Sequence, residues 1–326
     1  KLLQKYPFDP LIRGKYMNLK KHFRRSFKMA KEDQREKILE NIQFMENKNP
    51  TEFWNLINMI KCKKTNNETI EPEVFLEYFK SLHKPNNSKK FDNDFAKVVS
   101  EKLKSTHGSI WRDTLDKAIT QKEITETAKC LKNKKAGGFD SISNEMIKCS
   151  LQIMMPILLK LFNSILNTEQ YPSSWSKGFI VPLFKSGDEH DPSNYRGITI
   201  SNCLGKFFTR ILNSRLLNYL EEHKIITKHQ IGFMPKHRTS DHILILKTII
   251  DSFKSTRKSL YICFVDLKKA FDTVYHEGLL YKLKQLKFSS KFVNILQSMY
   301  SNLTARVKSQ KGLTKEFPVL IGTRQG

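Results

Sequence analysis

The stretch Phe264-Val265-Asp266-Leu267-Lys268-Lys269-Ala270-Phe271-Asp272 decides how this chain is interpreted. It overlaps a short β-branched and aromatic run at 260–265, which predicts a buried strand, and it opens a predicted helix at 268–286. An acidic side chain at the end of a buried strand loses hydration, which costs free energy unless a cation pairs with it. Mg²⁺, which prefers hard oxygen ligands, is one such cation, and capping of the following helix by Asp266 is the alternative.

Two cationic side chains lie upstream, on a predicted β-hairpin. Strand-like runs at 179–184 and 198–200 flank a polar turn at 186–188. Lys185 and Arg196 lie near the facing ends of these runs, where a lysine point charge and a forked guanidinium can together neutralise phosphate oxygens. For either residue alone, a solvated surface charge is the alternative.

Three further motifs combine glycines with basic or polar residues: Lys134-Lys135-Ala136-Gly137-Gly138-Phe139-Asp140, Gln230-Ile231-Gly232-Phe233-Met234-Pro235 and Gly322-Thr323-Arg324-Gln325-Gly326. Glycine allows a tight backbone turn or a close approach of the backbone to a ligand. Each motif is weak to moderate by itself, and their shared order along the chain makes the combination strong.

Together these motifs resemble the reverse transcriptase superfamily, and in particular the enzymes of non-LTR (LINE-type) retrotransposons. The pattern F-x-D-x-x-x-A-F-D is that family's first palm motif, and the resemblance covers residues 120–326 in detail. It implies that Asp266 is the catalytic, metal-binding carboxylate. It also implies that the carbonyl of Leu267 is a further ligand of Mg²⁺, for which Mn²⁺ substitutes.

The resemblance also implies how substrates bind. The residues implied to bind the incoming deoxynucleoside triphosphate are Lys185, Arg196, Phe271 and Gln325. The residues implied to contact the template are Lys134, Lys135, Gly137, Gly138, Gln230, Gly232 and Gly326. The implied partners are therefore an RNA template, a DNA primer or target and deoxynucleoside triphosphates, whereas protein partners stay open.

The sequence departs from the family pattern at two turns and at its end. Gly137 and Gly197 stand where the family commonly has proline, which loosens a turn without removing a charged group. The chain is expected to end before the Y-x-D-D hairpin and the thumb. We therefore expect residues 1–326 alone to lack polymerase activity, because one motif-supported carboxylate cannot hold two closely spaced divalent ions.

Composition indicates a polyanion-binding protein. Lys and Arg number 57 against 32 Asp and Glu, a net charge of +25, which favours nucleic acid as a partner. An anionic membrane surface is the less favoured alternative, and no run of about 18 apolar residues predicts a membrane span. The 5 cysteines show no metal-ligand spacing, which fits a reducing intracellular compartment, and the resemblance implies the nucleus.

The predicted fold class is α+β, with the fingers and a partial palm of a right-hand polymerase. A small antiparallel sheet flanked by helices is expected over 111–326, after a helical, basic N-terminal extension at 1–110 that includes a polar linker at 84–108. Further helices are predicted near 53–60, 72–82, 124–131, 143–167, 204–222, 240–256 and 290–300, and paired strands near 305–308 and 317–321.

Two other functions stay open. A degenerate retroelement remnant would keep the basic surface and bind RNA without catalysis. A group II intron maturase shares most of the motifs, although the long N-terminal region favours the non-LTR interpretation.

Overall fold

The computed structural model describes residues 10–45, 70–85, 93–105, 110–235, 237–309 and 311–325. The chain divides into two compact units, 1–67 and 68–326. The first unit contains helix α1, Pro10–Met45, and the helix predicted near 53–60 lies outside the described residues. This division comes earlier than the change predicted at residue 110, because the helices that follow residue 67 pack within the second unit.

The second unit is rich in helices. They are α2 Pro72–Leu82, α3 Asn93–Ser105, α4 Asp113–Asp116, α5 Gln121–Lys129, α6 Asn144–Cys149, α7 Leu151–Thr168, α8 Cys203–Glu222, α9 Thr239–Ser255, α10 His276–Gln285 and α11 Ser290–Ser301. The strands are β1 Lys177–Phe184, β2 Tyr195–Ser201, β3 Thr304–Ser309, β4 Gly312–Leu313 and β5 Phe317–Pro318.

The strands form one small sheet around β1. β1 pairs antiparallel with β2, and β3 pairs antiparallel with β4 and β5, so the predicted hairpin and the predicted pairing near the end of the chain are confirmed. β1 and β3 run parallel, with Phe179 opposite Arg306. The sheet is therefore mixed, and the prediction of an antiparallel sheet was wrong, because β1 and β3 are joined by a long helical crossover rather than a hairpin.

Helices α7 and α8 form the larger core. The Phe162 ring lies 5.5 Å from Phe207 and 5.4 Å from Phe208, and all three side chains are buried. The single helix predicted at 143–167 is two helices, α6 and α7, which meet at Ser150. By length and composition alone α7 could cross a membrane; one of its faces packs in this core.

A second core joins helix α2 to the sheet. Phe75 and Phe79 are buried with Ile180 and Val307, and the Phe75 ring lies edge-on to Tyr195 at 4.9 Å. The predicted helix at 72–82 is confirmed, and Pro72 occupies its first turn. The segment predicted as a linker contains α3, whose Val99 is fully buried, so that prediction was wrong.

The predicted strand at 260–265 is not present. Tyr261 is 92% exposed and Phe264 79% exposed, and no described strand pairs with this run. An unpaired run has neither ladder hydrogen bonds nor a covered face, so its β propensity does not suffice. The helix predicted from residue 268 begins only at His276, after a series of turns.

Candidate active site

A cleft of about 560 Å³ opens between the β1–β2 hairpin, helix α2 and the turns at 266–272. Its lining includes every residue predicted to bind metal or nucleotide, namely Lys185, Arg196, Asp266, Leu267, Phe271 and Gln325. These residues come from three distant parts of the sequence. The fold therefore brings the predicted set together, whereas the role of each residue stays a prediction.

The two cations reach the cleft from the end of the hairpin. Arg196 lies opposite Leu183 in the β1–β2 register, and the backbone N–H of Lys185 donates to the carbonyl of Asn194 at 3.0 Å. Asn194 in turn donates its side-chain amide to the carbonyl of Asp188 at 3.0 Å, which ties the turn together. Within the described residues neither Lys185 nor Arg196 forms an ion pair, so both charges are available to an anion.

Asp266 is an exposed carboxylate on the same cleft. It does not cap a helix, because α10 begins ten residues later with Tyr275 as its N-cap. No group of three or more His, Cys, Asp or Glu side chains forms a metal site in the described part of the chain. Asp266 fits as one ligand of a Mg²⁺ that takes its other ligands from phosphates and water, which is how Mg²⁺ is commonly held.

Phe271 presents an aromatic face to the cleft. Its side chain is 47% exposed, so the ring is not enclosed in the core formed by the described residues. The ring of Phe233 meets it edge-on at 5.7 Å. A planar apolar surface of this kind can pack against the sugar or base of a nucleotide.

Helix α2 adds residues that the sequence did not single out as part of the site. Tyr78, Phe79 and Leu82 line the cleft, and the Tyr78 hydroxyl accepts a hydrogen bond from the Lys269 ammonium at 3.0 Å. That ammonium also lies 5.2 Å from the centre of the Tyr78 ring. The amphipathic pattern of α2 indicated only a core helix, and no local signal marks the edge that faces the cleft.

A second, basic cleft of about 360 Å³ lies near α6 and α8. Its lining includes four cations, Lys132, Lys135, Lys206 and Arg210, and none of them forms an ion pair among the residues described. Burial and the nearby charges of Arg324 and Lys135 lower the pKa of the Lys206 ammonium, although Cys203 opposes the shift. A bound anion would relieve this cost.

The residues predicted to contact the template are more dispersed. Lys135 lines the basic cleft, whereas Gln230 and Gly232 lie in an exposed loop and are hydrogen-bonded to each other at 2.9 Å. Gly138 is buried, and a β carbon there would lie 2.7 Å from the α carbon of Asn202, so packing alone requires glycine. Gly326 lies outside the described residues.

Lys134 and Gly137 hold the turn that leads into α6. The Lys134 backbone adopts a positive φ of 57°, and its N–H donates to the Glu145 carboxylate. A β carbon on Gly137 would lie 2.9 Å from the carbonyl oxygen of Ile142. Lys206 and Arg210, one turn apart on α8, belong to the cleft beside this turn, and only their i, i+4 spacing could have signalled them.

Part of the chain matches a known protein family. Residues 185–326 match the family described as reverse transcriptase (RNA-dependent DNA polymerase). The match begins after strand β1, at Lys185, and spans the hairpin turn, strand β2, the turns around Asp266 and the segment that carries Gln325.

Several curated relatives are polymerases of mobile elements. A probable RNA-directed DNA polymerase from transposon BS of Drosophila melanogaster is 29% identical over 212 residues, which is 64% of this chain and 23% of that protein. An RNA-directed DNA polymerase from mobile element jockey of Drosophila funebris is 31% identical over 56% of this chain and 20% of its own length. A Pol polyprotein from the type-1 retrotransposable element R2 of Nasonia vitripennis is 27% identical over 67% of this chain and 20% of its own length. The chain thus spans about a quarter or less of these relatives.

Proposed function

Because this chain belongs to the reverse transcriptases of non-LTR retrotransposons, we propose that its larger cleft binds a deoxynucleoside triphosphate for RNA-directed DNA synthesis by the whole protein. The observation that carries the proposal is the convergence of four groups on one cleft: two cations that form no ion pair with any described residue, an exposed carboxylate and an exposed aromatic ring. The two cations come from the hairpin and the other two groups from the stretch at 264–272, so the meeting of these distant segments is a property of the fold.

Lys185 and Arg196 are the proposed triphosphate ligands. A flexible ammonium and a planar guanidinium can share several phosphate oxygens, and charge-assisted hydrogen bonds of this kind are among the stronger ones. Phe271 would then flank the sugar, and Gln325 would supply a polar contact.

Asp266 and the carbonyl of Leu267 are the proposed protein ligands of Mg²⁺, with Mn²⁺ as a substitute. When bound, the metal would neutralise charge on the transferred phosphate and on the attacking oxygen. The part of the chain described here supplies one exposed carboxylate at this place, so phosphate oxygens and further groups would complete the ligand set.

The basic cleft is the proposed contact for the RNA template, with the DNA primer or target as the second nucleic-acid partner. Four cations without an ion pair in the described part of the chain suit a phosphate backbone, which is the part of a nucleic acid that dominates affinity. Lys132, Lys206 and Arg210 join Lys135 in this role, whereas Gln230 and Gly232 remain candidates from the family pattern alone.

Calorimetric titration of the chain with dTTP in the presence of Mg²⁺ tests the nucleotide site. Arg196→Ala should weaken dTTP binding by about 10–100-fold, because a hydrogen bond to a charged group is lost. Arg210→Ala, which removes the same charge from the basic cleft, should change it little. Equal losses in the two variants would mean that dTTP binding depends on the net charge of the chain rather than on this cleft.

The same titration separates the polymerase from a binding remnant. A remnant that only binds RNA would still bind a structured RNA at the basic cleft and would not bind dTTP. Binding of both ligands, with Asp266→Asn removing the Mg²⁺ dependence of dTTP binding, supports the polymerase site.

A further inference from the structure

Gln325 meets Asp272 inside the nucleotide cleft. The Gln325 side-chain nitrogen Nε2 donates to Oδ1 of Asp272 at 2.7 Å, and both residues line the cleft. Asp272 lies fifty-three residues earlier in the chain, so the contact is made by the fold.

The backbone around Gln325 is fixed without Asp272. The carbonyl of Gln325 accepts from the backbone N–H of Thr199 at 2.5 Å, and the N–H of Thr323 donates to the carbonyl of Phe271 at 2.7 Å. The partly buried Arg324 guanidinium donates to the carbonyl of Trp175 at 3.0 Å. The orientation of the Gln325 side chain is therefore the remaining freedom in this segment.

Two buried histidines hold the residues just before it. His83 Nδ1 lies 3.0 Å from the carbonyl oxygen of Ile321, and His276 Nε2 lies 2.7 Å from that of Gly322. A carbonyl only accepts, so each of these ring nitrogens carries the hydrogen. Gly322 has a φ of +88°, and a β carbon there would lie 2.6 Å from the carbonyl oxygen of Asp272, so the two segments are in close contact.

The chemistry of the Asp272–Gln325 pair fixes the direction of the amide. An ionised carboxylate has acceptors only, so the amide must turn Nε2 toward Asp272 and keep its oxygen for another partner. An asparagine at 272 could accept through its oxygen or donate through its nitrogen, and the Gln325 amide could then take either orientation.

We propose that Asp272 is a positioning residue that orients the Gln325 amide in the nucleotide cleft, so that its oxygen is presented as a hydrogen-bond acceptor to the incoming nucleotide. This inference rests on the proposed function. Asp272 itself needs no contact with the nucleotide, because it acts through Gln325. Loss of the orientation should cost about one ordinary hydrogen bond, which corresponds to about fivefold weaker nucleotide binding.

A double-mutant cycle tests the proposal. The dissociation constant of dTTP with Mg²⁺ is measured for the native chain, Asp272→Asn, Gln325→Leu and the double variant. Asp272→Asn should weaken binding about fivefold in the native background and not at all when Leu replaces Gln325. An equal loss in both backgrounds, or no loss in the native one, overturns the proposal, since either result means that Asp272 does not act through Gln325.

The amide can also be observed directly, without any nucleotide. In a ¹⁵N-labelled chain, the side-chain NH₂ signal that Gln325→Leu removes belongs to Gln325, and Asp272→Asn should shift it. Asp251→Asn, an exposed change on α9, is the matched control and should leave it in place. An unmoved signal in Asp272→Asn overturns the proposal. If the signal shifts but the native chain does not bind dTTP, the proposed nucleotide site fails while the Asp272–Gln325 bond stands.

Discussion

At the scale of single residues, Gly197 shapes the wall of the nucleotide cleft. A β carbon at this position would lie 2.7 Å from the Phe79 ring and 2.9 Å from the Ile180 side chain. Both neighbours are buried, so neither can move away freely.

We therefore expect Gly197→Ala to destabilise the fold by about 1–3 kcal/mol, which is the usual cost of overpacking a core. Chemical denaturation followed by circular dichroism measures this change. Gly232→Ala is the control, because the nearest atom to its new β carbon lies 3.6 Å away. Equal stability of Gly197→Ala and the native chain would show that helix α2 does not pack closely against the hairpin at this position.

His83 and His276 make stability depend on pH. Burial lowers the pKa of each imidazole below its usual value, although the hydrogen bonds to Ile321 and Gly322 oppose the shift. Because the pKa is lowered in the folded chain, these imidazoles bind protons in the unfolded chain at pH values where they stay neutral in the folded chain. The free energy of unfolding therefore falls as the pH drops below 6.5. Carboxylates such as Glu123, whose pKa is lowered from 4.5, titrate below this window.

The melting temperature should therefore be lower at pH 5.5 than at pH 7.5. The variant His83→Gln/His276→Gln, which keeps neutral donors, should show a smaller difference between the two pH values. Scanning calorimetry at both values measures it. An unchanged pH difference in the variant would mean that these two residues titrate normally in the folded chain.

The residue-scale predictions from sequence depended on motif order rather than on local pattern. Lys185, Arg196, Asp266 and Gln325 were each ambiguous alone, and the structure places them on one cleft. Asp272 and Tyr78 were not assigned to the site, because their contacts join segments far apart in sequence. No spacing rule within one element could have predicted those contacts.

At the scale of elements, an ion pair between Glu123 and Arg215 joins helix α5 to helix α8. A capping box begins α5, since the Thr120 and Glu123 side chains each bond to the other's backbone N–H. Glu123 also accepts from Arg215 at 2.7 Å and 3.0 Å. Arg215 is 3% exposed and donates to the carbonyls of Leu115 and Lys117 as well.

Glu123→Gln should cost about 3 kcal/mol, because it leaves a buried guanidinium without its counter-charge. Glu126→Gln on the same helix breaks a pair with Lys122 whose atoms lie 3.9 Å apart and are well exposed, and it should cost less than about 1 kcal/mol. Urea denaturation of the two variants compares them. Similar losses would mean that the buried Glu123–Arg215 pair contributes no more to stability than an exposed pair does.

Elements bounded by turn residues or by a proline could be predicted from sequence. The hairpin β1–β2 carries a polar turn between two β-branched runs, and α2 begins at a proline. The run at 260–265 had the composition of a strand but is exposed, because a strand also needs a partner that composition does not reveal. The parallel pairing of β1 with β3 was missed for a related reason, since it joins segments more than a hundred residues apart.

At the scale of the whole molecule, the net charge of +25 predicted a polyanion partner but not its location. The folded chain gathers Lys132, Lys135, Lys206 and Arg210 around one cleft, where Lys206 is partly buried. Charges gathered in this way raise the local potential more than the same charges spread over the surface.

RNA binding by the chain should therefore depend strongly on salt. Each phosphate of a single strand that a cation neutralises contributes about −0.7 to the slope of log K against log salt. The variant Lys132→Ala/Lys206→Ala/Arg210→Ala should reduce the magnitude of that slope by about 2. The measurement is fluorescence anisotropy with a labelled single-stranded RNA at several salt concentrations.

A variant with the same loss of charge elsewhere decides whether location matters. Lys117, Lys122 and Lys160 are exposed residues of the second unit that do not line the basic cleft. Their replacement by alanine removes three charges but should leave the slope nearly unchanged, because screening at moderate salt limits the reach of an exposed charge to about 10 Å. If both triple variants lower the slope equally, RNA responds to the total charge of the chain, and the basic cleft is not its binding site.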